Sequence, residues 1–314
     1  MKAILKKLLA LLCFLVLPIL FYSLTAFFMA AVFQTILLSM DETSKAALFL
    51  NNNLPILYSG CAAILAGSVL GYIYFTLKKN TAPAGFSACG GLRQQGYSSP
   101  PQCDPPEGFC RIGNEVSYTI KKRTARPIYL QKDFPFTGYI YVILFGAMGA
   151  VFFNLLMALS RLPELLPSPG SIENAVGHAN PILHFLSVCL LLPVTEEIVF
   201  RGLGYFQLRR FFGPVSVAIL TAALFGVFHG NAPQTLYGFC MGLLLAHTAE
   251  SCQNLISVIL FHWAANIASF TLLKDPASQR LLYSIPILGL SGIGCAWLFC
   301  KIRDFGAPDA HVDS

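Results

Sequence analysis

The stretch Leu191–Arg210, LLPVTEEIVFRGLGYFQLRR, decides how the rest of the chain is read. It continues an apolar run that begins near Pro181, and it carries two adjacent carboxylates, Glu196 and Glu197, with Arg201 close behind. An unpaired carboxylate at mid-bilayer costs several kcal/mol, so acids placed there are paired or put to use. On a helix, residues four apart share a face while neighbours diverge by about 100°. Glu197 therefore stacks on Arg201 and can pair with it. Glu196 points elsewhere and is left for chemistry, or for a partner on another helix.

Composition places this run in a membrane. Of 314 residues, 55% are hydrophobic and only 11% charged, with a mean hydropathy of +0.64. A soluble chain carries about a quarter charged residues. Several runs reach the roughly 20 residues that cross hydrocarbon. The expected fold is an all-α, polytopic membrane helix bundle of about eight transmembrane helices. They run from the N-terminus to about Leu38, from about Leu54 to Leu77, and over Gly138–Ser160, Pro181 to about Arg210, Gly213–His229, Thr235–Ala249, Asn254–Leu272 and Leu281–Ile302. Thr235–Ala249 is the shortest and weakest of them. The opening MKAILKKLLALLCFLVLPIL starts like a signal peptide, but its apolar stretch is too long for a cleaved one. The chain thus divides into two N-terminal membrane helices (1–77), a flexible cytoplasmic loop rich in Gly, Pro and Ser (78–137), a membrane bundle (138–302) and a short tail (303–314).

The net charge of +6 does not point to nucleic acid, because the basic residues lie between the apolar runs, as the positive-inside rule requires. A cytoplasmic N-terminus puts Lys2, Lys6, Lys7, the Lys121–Arg123 cluster, Arg209, Arg210, Lys301 and Arg303 inside. Only Lys45, Arg161, Lys274 and Arg280 then fall outside. Both termini are expected in the cytoplasm of a multi-pass cell-membrane protein, with the bilayer as its partner. Of the ten cysteines, Cys13, Cys61, Cys189, Cys240, Cys295 and Cys300 lie in apolar runs, where Cys behaves as a small hydrophobe. Cys89, Cys103 and Cys110 in the long loop and Cys252 in a short turn match no zinc spacing and are read as free thiols.

Two later spans carry further polar groups. His229 closes LTAALFGVFHG, with Phe225 four residues before it on the same face. His262 and Asn266 are four apart in SVILFHWAANIASF and project together. A lone intramembrane histidine is more often an interhelical hydrogen bonder, and His184 and His247 are read that way. An acid, two histidines and an amide on three helices could instead converge on one point.

The segments EEIVFR (Glu196–Arg201), FGVFH (Phe225–His229) and HWAAN (His262–Asn266) resemble, in this order, the motifs E-E-x-x-x-R, F-x-x-x-H and H-x-x-x-(N/D) of the CPBP family of intramembrane endopeptidases, also called the CAAX-protease and bacteriocin-processing or Abi family. The resemblance covers about Ile182–Phe270. It implies a multi-helix hydrolase with its active site inside the membrane and open to the cytoplasm. Glu196 and His229 would activate water, His262 and Asn266 would stabilise the oxyanion, and Glu197, Arg201 and Phe225 would support the site. These residue types suit the chemistry, since peptide hydrolysis needs a base for water and donors aimed at developing negative charge. The zinc-protease signature H-E-x-x-H is absent. Whether zinc takes part stays open: Glu196, His229 and His262 could hold it with one water, as in a metalloprotease, and a metal-free mechanism uses the same residues. Two other classes compete with the enzyme, a non-catalytic bacteriocin-immunity or scaffold protein and a transporter using the acids as a proton relay. The second is weakened by the lack of any repeat between the halves.

Overall fold

The computed structural model describes residues 2–81, 102–104, 109–112, 115–117, 134–160, 179–274 and 285–306. They fall into two compact units, 77–130 and the remainder. The described residues form eight helices, all in the larger unit except for the last turn of the second: α1 Lys2–Leu38, α2 Lys45–Thr81, α3 Phe136–Ser160, α4 Pro181–Leu208, α5 Pro214–Val227, α6 Ala232–Cys252, α7 Leu255–Lys274 and α8 Ile285–Gly306. Five of them (α1 to α4 and α8) are long and apolar enough to cross a membrane. This is the all-α membrane bundle expected. Their outer faces carry bare Leu, Ile and Phe, as lipid-facing surfaces do.

The smaller unit holds three short strands, β1 Gln102–Asp104, β2 Phe109–Ile112 and β3 Glu115–Ser117, paired as an antiparallel meander. Loop composition gave no sign of them. Cys103 and Cys110 are register partners across β1 and β2. Most of the segment read as a flexible loop, including Cys89 and Lys121–Arg123, lies outside the described residues, as do Arg161, Arg280 and the end of the 303–314 tail.

Several helix ends differ from the sequence reading, each for a local reason. Helix α2 begins at Lys45, well before Leu54, because Ser44 Oγ accepts from Ala47 N at 3.1 Å and caps the start. The asparagine run inside it is tolerated because Asn53 donates to Phe49 O and accepts from Asn180 N, both at 2.7 Å. Helix α5 stops at Val227, so His229 lies just past its end; Gly230 follows at φ +81°, which only glycine adopts without strain. Cys252 is the buried last residue of α6 rather than part of a turn, and Cys13, Cys61, Cys189, Cys240, Cys252, Cys295 and Cys300 form no disulfide.

Helices α1 and α4 each widen into a π-helical turn before a proline, Leu12–Val16 before Pro18 and Phe185–Leu191 before Pro193. A proline ring clashes with the carbonyl four residues back, and the wider turn relieves that clash. In α4 the pattern continues with a second π-helical stretch, Ile198–Tyr205. Glu196 and Glu197 end the short α-helical segment between the two.

The core forms where α7 packs on α3 and α5 packs on α6. At Gly146 of α3 an added Cβ would lie 2.2 Å from Phe261 O, so only a glycine lets α3 and α7 approach this closely.

Candidate active site

Four helices supply the polar residues, and the π-helical turns of α4 shape their meeting. Leu192 N donates to Ser187 O, five residues back. The next such bond would need an N–H on Pro193, which has none, so Val188 O is left without its helical partner. Asn266 of α7 fills the gap, donating through Nδ2 to Val188 O at 3.0 Å. Trp263 Nε1 donates to Leu190 O, also at 3.0 Å. Both bonds lie where the backbone cannot be solvated, which makes them a strong constraint on how α7 sits against α4.

That docking brings His262 to the two glutamates. Its Nδ1 lies 2.6 Å from Glu197 Oε1, and its Nε2 lies 3.7 Å from Glu196 Oε2. Glu197 Oε1 also accepts from Arg201 Nη1 at 3.0 Å, which is the pair that the four-residue spacing implied. Glu197 and Arg201 are completely buried, and Glu196 and His262 nearly so. Arg201 further donates to Gly242 O at 3.2 Å and stacks its guanidinium 4.5 Å from the Phe225 ring. Among the described residues Glu197 Oε2 and Arg201 Nε have no hydrogen-bond partner.

His229 approaches from the end of α5. Its Nδ1 bonds Phe225 O at 2.7 Å, so the ring donates there and keeps Nε2 as an acceptor. Phe225 is the common floor, with ring centroids 4.8 Å from His229 and 5.8 Å from His262. A small cavity of about 30 Å³ is walled by His229, His262, Asn266, Phe225 and Tyr237 among others, room for one or two waters. Glu196 is not one of its walls. It carries no hydrogen bond among the described residues and reaches the site by its approach to His262 Nε2.

The donors are right in kind for zinc, with two imidazoles each anchored through Nδ1 by an acceptor. Among the described residues, however, no three His, Cys, Asp or Glu side chains gather closely enough to hold a metal ion. The arrangement does not fit a metal as it stands. The chain's own acid, imidazoles and amide are the groups at hand for chemistry.

His247 proves to be an interhelical bonder, 2.9 Å from Phe299 O and stacked on its ring. His184 packs edge-on against Phe270. Sequence reasoning missed Trp263 and Tyr237. Trp263 was findable, because an indole inside an apolar helix needs an acceptor and Pro193 implied one nearby. Tyr237 carried no signal.

Residues 178–268 match the Rce1-like family of type II CAAX prenyl endopeptidases, the CAAX-protease family that the three motifs resemble. The match spans less than a third of the chain and contains Glu196, Glu197, Arg201, Phe225, His229, His262 and Asn266. No curated protein and no solved structure matches the chain.

Proposed function

We propose that the chain is an intramembrane endopeptidase of the CAAX-protease type, hydrolysing a peptide bond of a membrane-associated protein or peptide. The observation that carries this reading is the meeting of two motifs 65 residues apart, His262 standing between Glu197 Oε1 at 2.6 Å and Glu196 Oε2 at 3.7 Å beside a water-sized cavity. A clasp would be complete with Glu197 and Arg201 alone. The second acid, kept without a hydrogen bond, is what hydrolysis requires.

In this mechanism a water rests between Glu196 and His229 Nε2. Glu196 takes its proton as the oxygen attacks the carbonyl carbon. The oxyanion is met by the second N–H of Asn266 and by His262 Nε2–H. Because Nδ1 of His262 is held by Glu197 Oε1, Nε2 is the ring nitrogen left to face the oxyanion, on the side where Glu196 approaches. Glu196 then returns the proton to the leaving nitrogen as the C–N bond breaks. Glu197 and Arg201 orient His262 and touch no substrate.

The test is cleavage of a peptide library by the purified protein in detergent, with Glu196→Gln as comparator. The amide keeps the volume but cannot accept a proton, so turnover should vanish while the melting temperature holds. Full activity in Glu196→Gln would return both glutamates to a structural role.

A further inference from the structure

Beyond the catalytic groups, the bundle holds a second, half-buried polar cluster that this mechanism does not use. Asn154 of α3, Tyr237 of α6 and Ser269 of α7 meet side chain to side chain. Asn154 Nδ2 donates to Ala150 O at 2.8 Å, to Ser269 Oγ at 3.0 Å and, more weakly, to Tyr237 Oη at 3.4 Å. The two hydroxyls lie 3.3 Å apart, and either can donate to the other.

Counting hydrogens identifies what is left over. Asn154 has two N–H donors, one used by Ala150 O and the other shared between the hydroxyls. Tyr237 and Ser269 have one O–H each, and only one of these is used between them. Asn154 Oδ1 accepts from neither hydroxyl, so one hydroxyl hydrogen remains without an acceptor in the cluster. Leaving such a donor unmatched in an apolar bundle costs about 1–3 kcal/mol, unless something outside the cluster accepts it.

Tyr237 also walls the cavity that His229, His262 and Asn266 line, so the cluster adjoins the site through this residue. His262, Asn266 and Ser269 form one stripe on α7, and seven residues of helix separate the first from the last, roughly 10 Å. An extended peptide covers that distance in about three residues. No charged side chain bonds to the cluster, so a neutral acceptor suits it better than a carboxylate.

We propose that the Asn154–Tyr237–Ser269 cluster is a peptide-binding subsite, in which the Tyr237 hydroxyl donates to a backbone carbonyl of the substrate about three residues from the scissile bond. Serine keeps the phenol oriented by donating to it, and the phenol hydrogen faces the peptide. This inference rests on the endopeptidase reading and assigns that enzyme a place where substrate length is sensed.

The test takes a fluorogenic peptide that the wild-type protein cleaves in detergent, together with versions shortened one residue at a time from each end. Wild type should lose affinity stepwise, with one truncation about three residues from the cut raising KM by about three- to tenfold, the worth of one neutral hydrogen bond. Tyr237→Phe should show that raised KM on the long peptide, unchanged kcat, no further loss on the truncated one, and a wild-type melting temperature. Ser269→Ala should retain the length dependence, because the phenol keeps its hydrogen. If Tyr237→Phe matches wild type on every length, the subsite does not exist. If it loses equally on all lengths with a lowered melting temperature, the cluster is a structural clasp and the proposal fails. A wild type that cleaves no peptide overturns the endopeptidase reading together with this one; cleavage without length dependence overturns this one alone.

Discussion

His262 hands its Nδ1 hydrogen to Glu197 Oε1 across 2.6 Å, joining α7 to α4 at the oxygen that also holds Arg201. One carboxylate oxygen thus serves two cationic or donor groups in a site where water cannot replace either. Removing Arg201 strands Glu197 in a low-dielectric place, and breaking a buried pair in this way costs about 3–5 kcal/mol. Arg201→Ala should lower the melting temperature steeply. The double variant Glu197→Gln with Arg201→Gln should recover part of that stability but not activity, since the amide no longer holds His262 Nδ1 as the carboxylate oxygen does. A double variant no more stable than Arg201→Ala would end the clasp account.

Asn266 has two duties, closing Val188 O and facing the cavity, and its substitutions should separate them. Asn266→Ala leaves a carbonyl orphaned within the bundle and removes one donor of the proposed oxyanion site, so stability should fall along with a rate loss of about 10²–10³. Asn266→Asp can accept but not donate, and should be worse on both counts. The measurement is kcat alongside thermal unfolding. An Asn266→Ala protein that melts as wild type does would mean Val188 O has found another partner.

Parts of this site were legible in the sequence because they depend only on spacing within one helix. Glu197 and Arg201 are four apart, as are Phe225 and His229, so their stacking follows from helix geometry. The five long helices were legible for a similar reason, since lipid leaves few alternatives to a run of about 20 apolar residues. What could not be read was anything set by how helices cross. His262 meets Glu196 because α7 is placed by its bonds to Val188 O and Leu190 O along the π-helical turn of α4, and residue spacing shows neither bond. Tyr237 was invisible for the same reason, as its partners come from α3 and α7.

We propose the orientation that the charge distribution favours, with both termini in the cytoplasm, and packing adds to the case. Lys6 lies 6.0 Å from the centre of the Phe211 ring and Lys7 5.2 Å from that of Phe212, which puts the start of α1 beside the end of α4. Arg209 pairs with Glu250 at 2.8 Å at the same end of α4. A cluster of this sign belongs on the cytoplasmic face. Single-cysteine variants labelled with an impermeant maleimide in intact cells should react at positions 40–53 and stay silent at Cys103. Labelling of Cys103 from outside would invert the topology, and would also move those loop thiols into an oxidising compartment.

Metal content separates the two versions of the hydrolysis that the sequence left open. Glu196, His229 and His262 do not gather into a ligand set, and Glu196 has only its 3.7 Å approach to His262 Nε2. Meanwhile both Nδ1 atoms are engaged with acceptors, so each imidazole has a single nitrogen left, and His262 uses that nitrogen as a donor in the mechanism proposed. A ring cannot donate from Nε2 and ligate a metal through it at once. Purified protein should therefore hold well under one zinc per chain, and its peptidase activity should survive a strong chelator. The decisive comparison is elemental analysis of wild type beside His229→Ala and His262→Ala. Stoichiometric zinc in wild type that disappears from both variants, with activity restored by added zinc after chelation, would make His262 a ligand rather than an oxyanion donor. Glu196 would then lie beside the metal, and Asn266 alone would be left to meet the oxyanion.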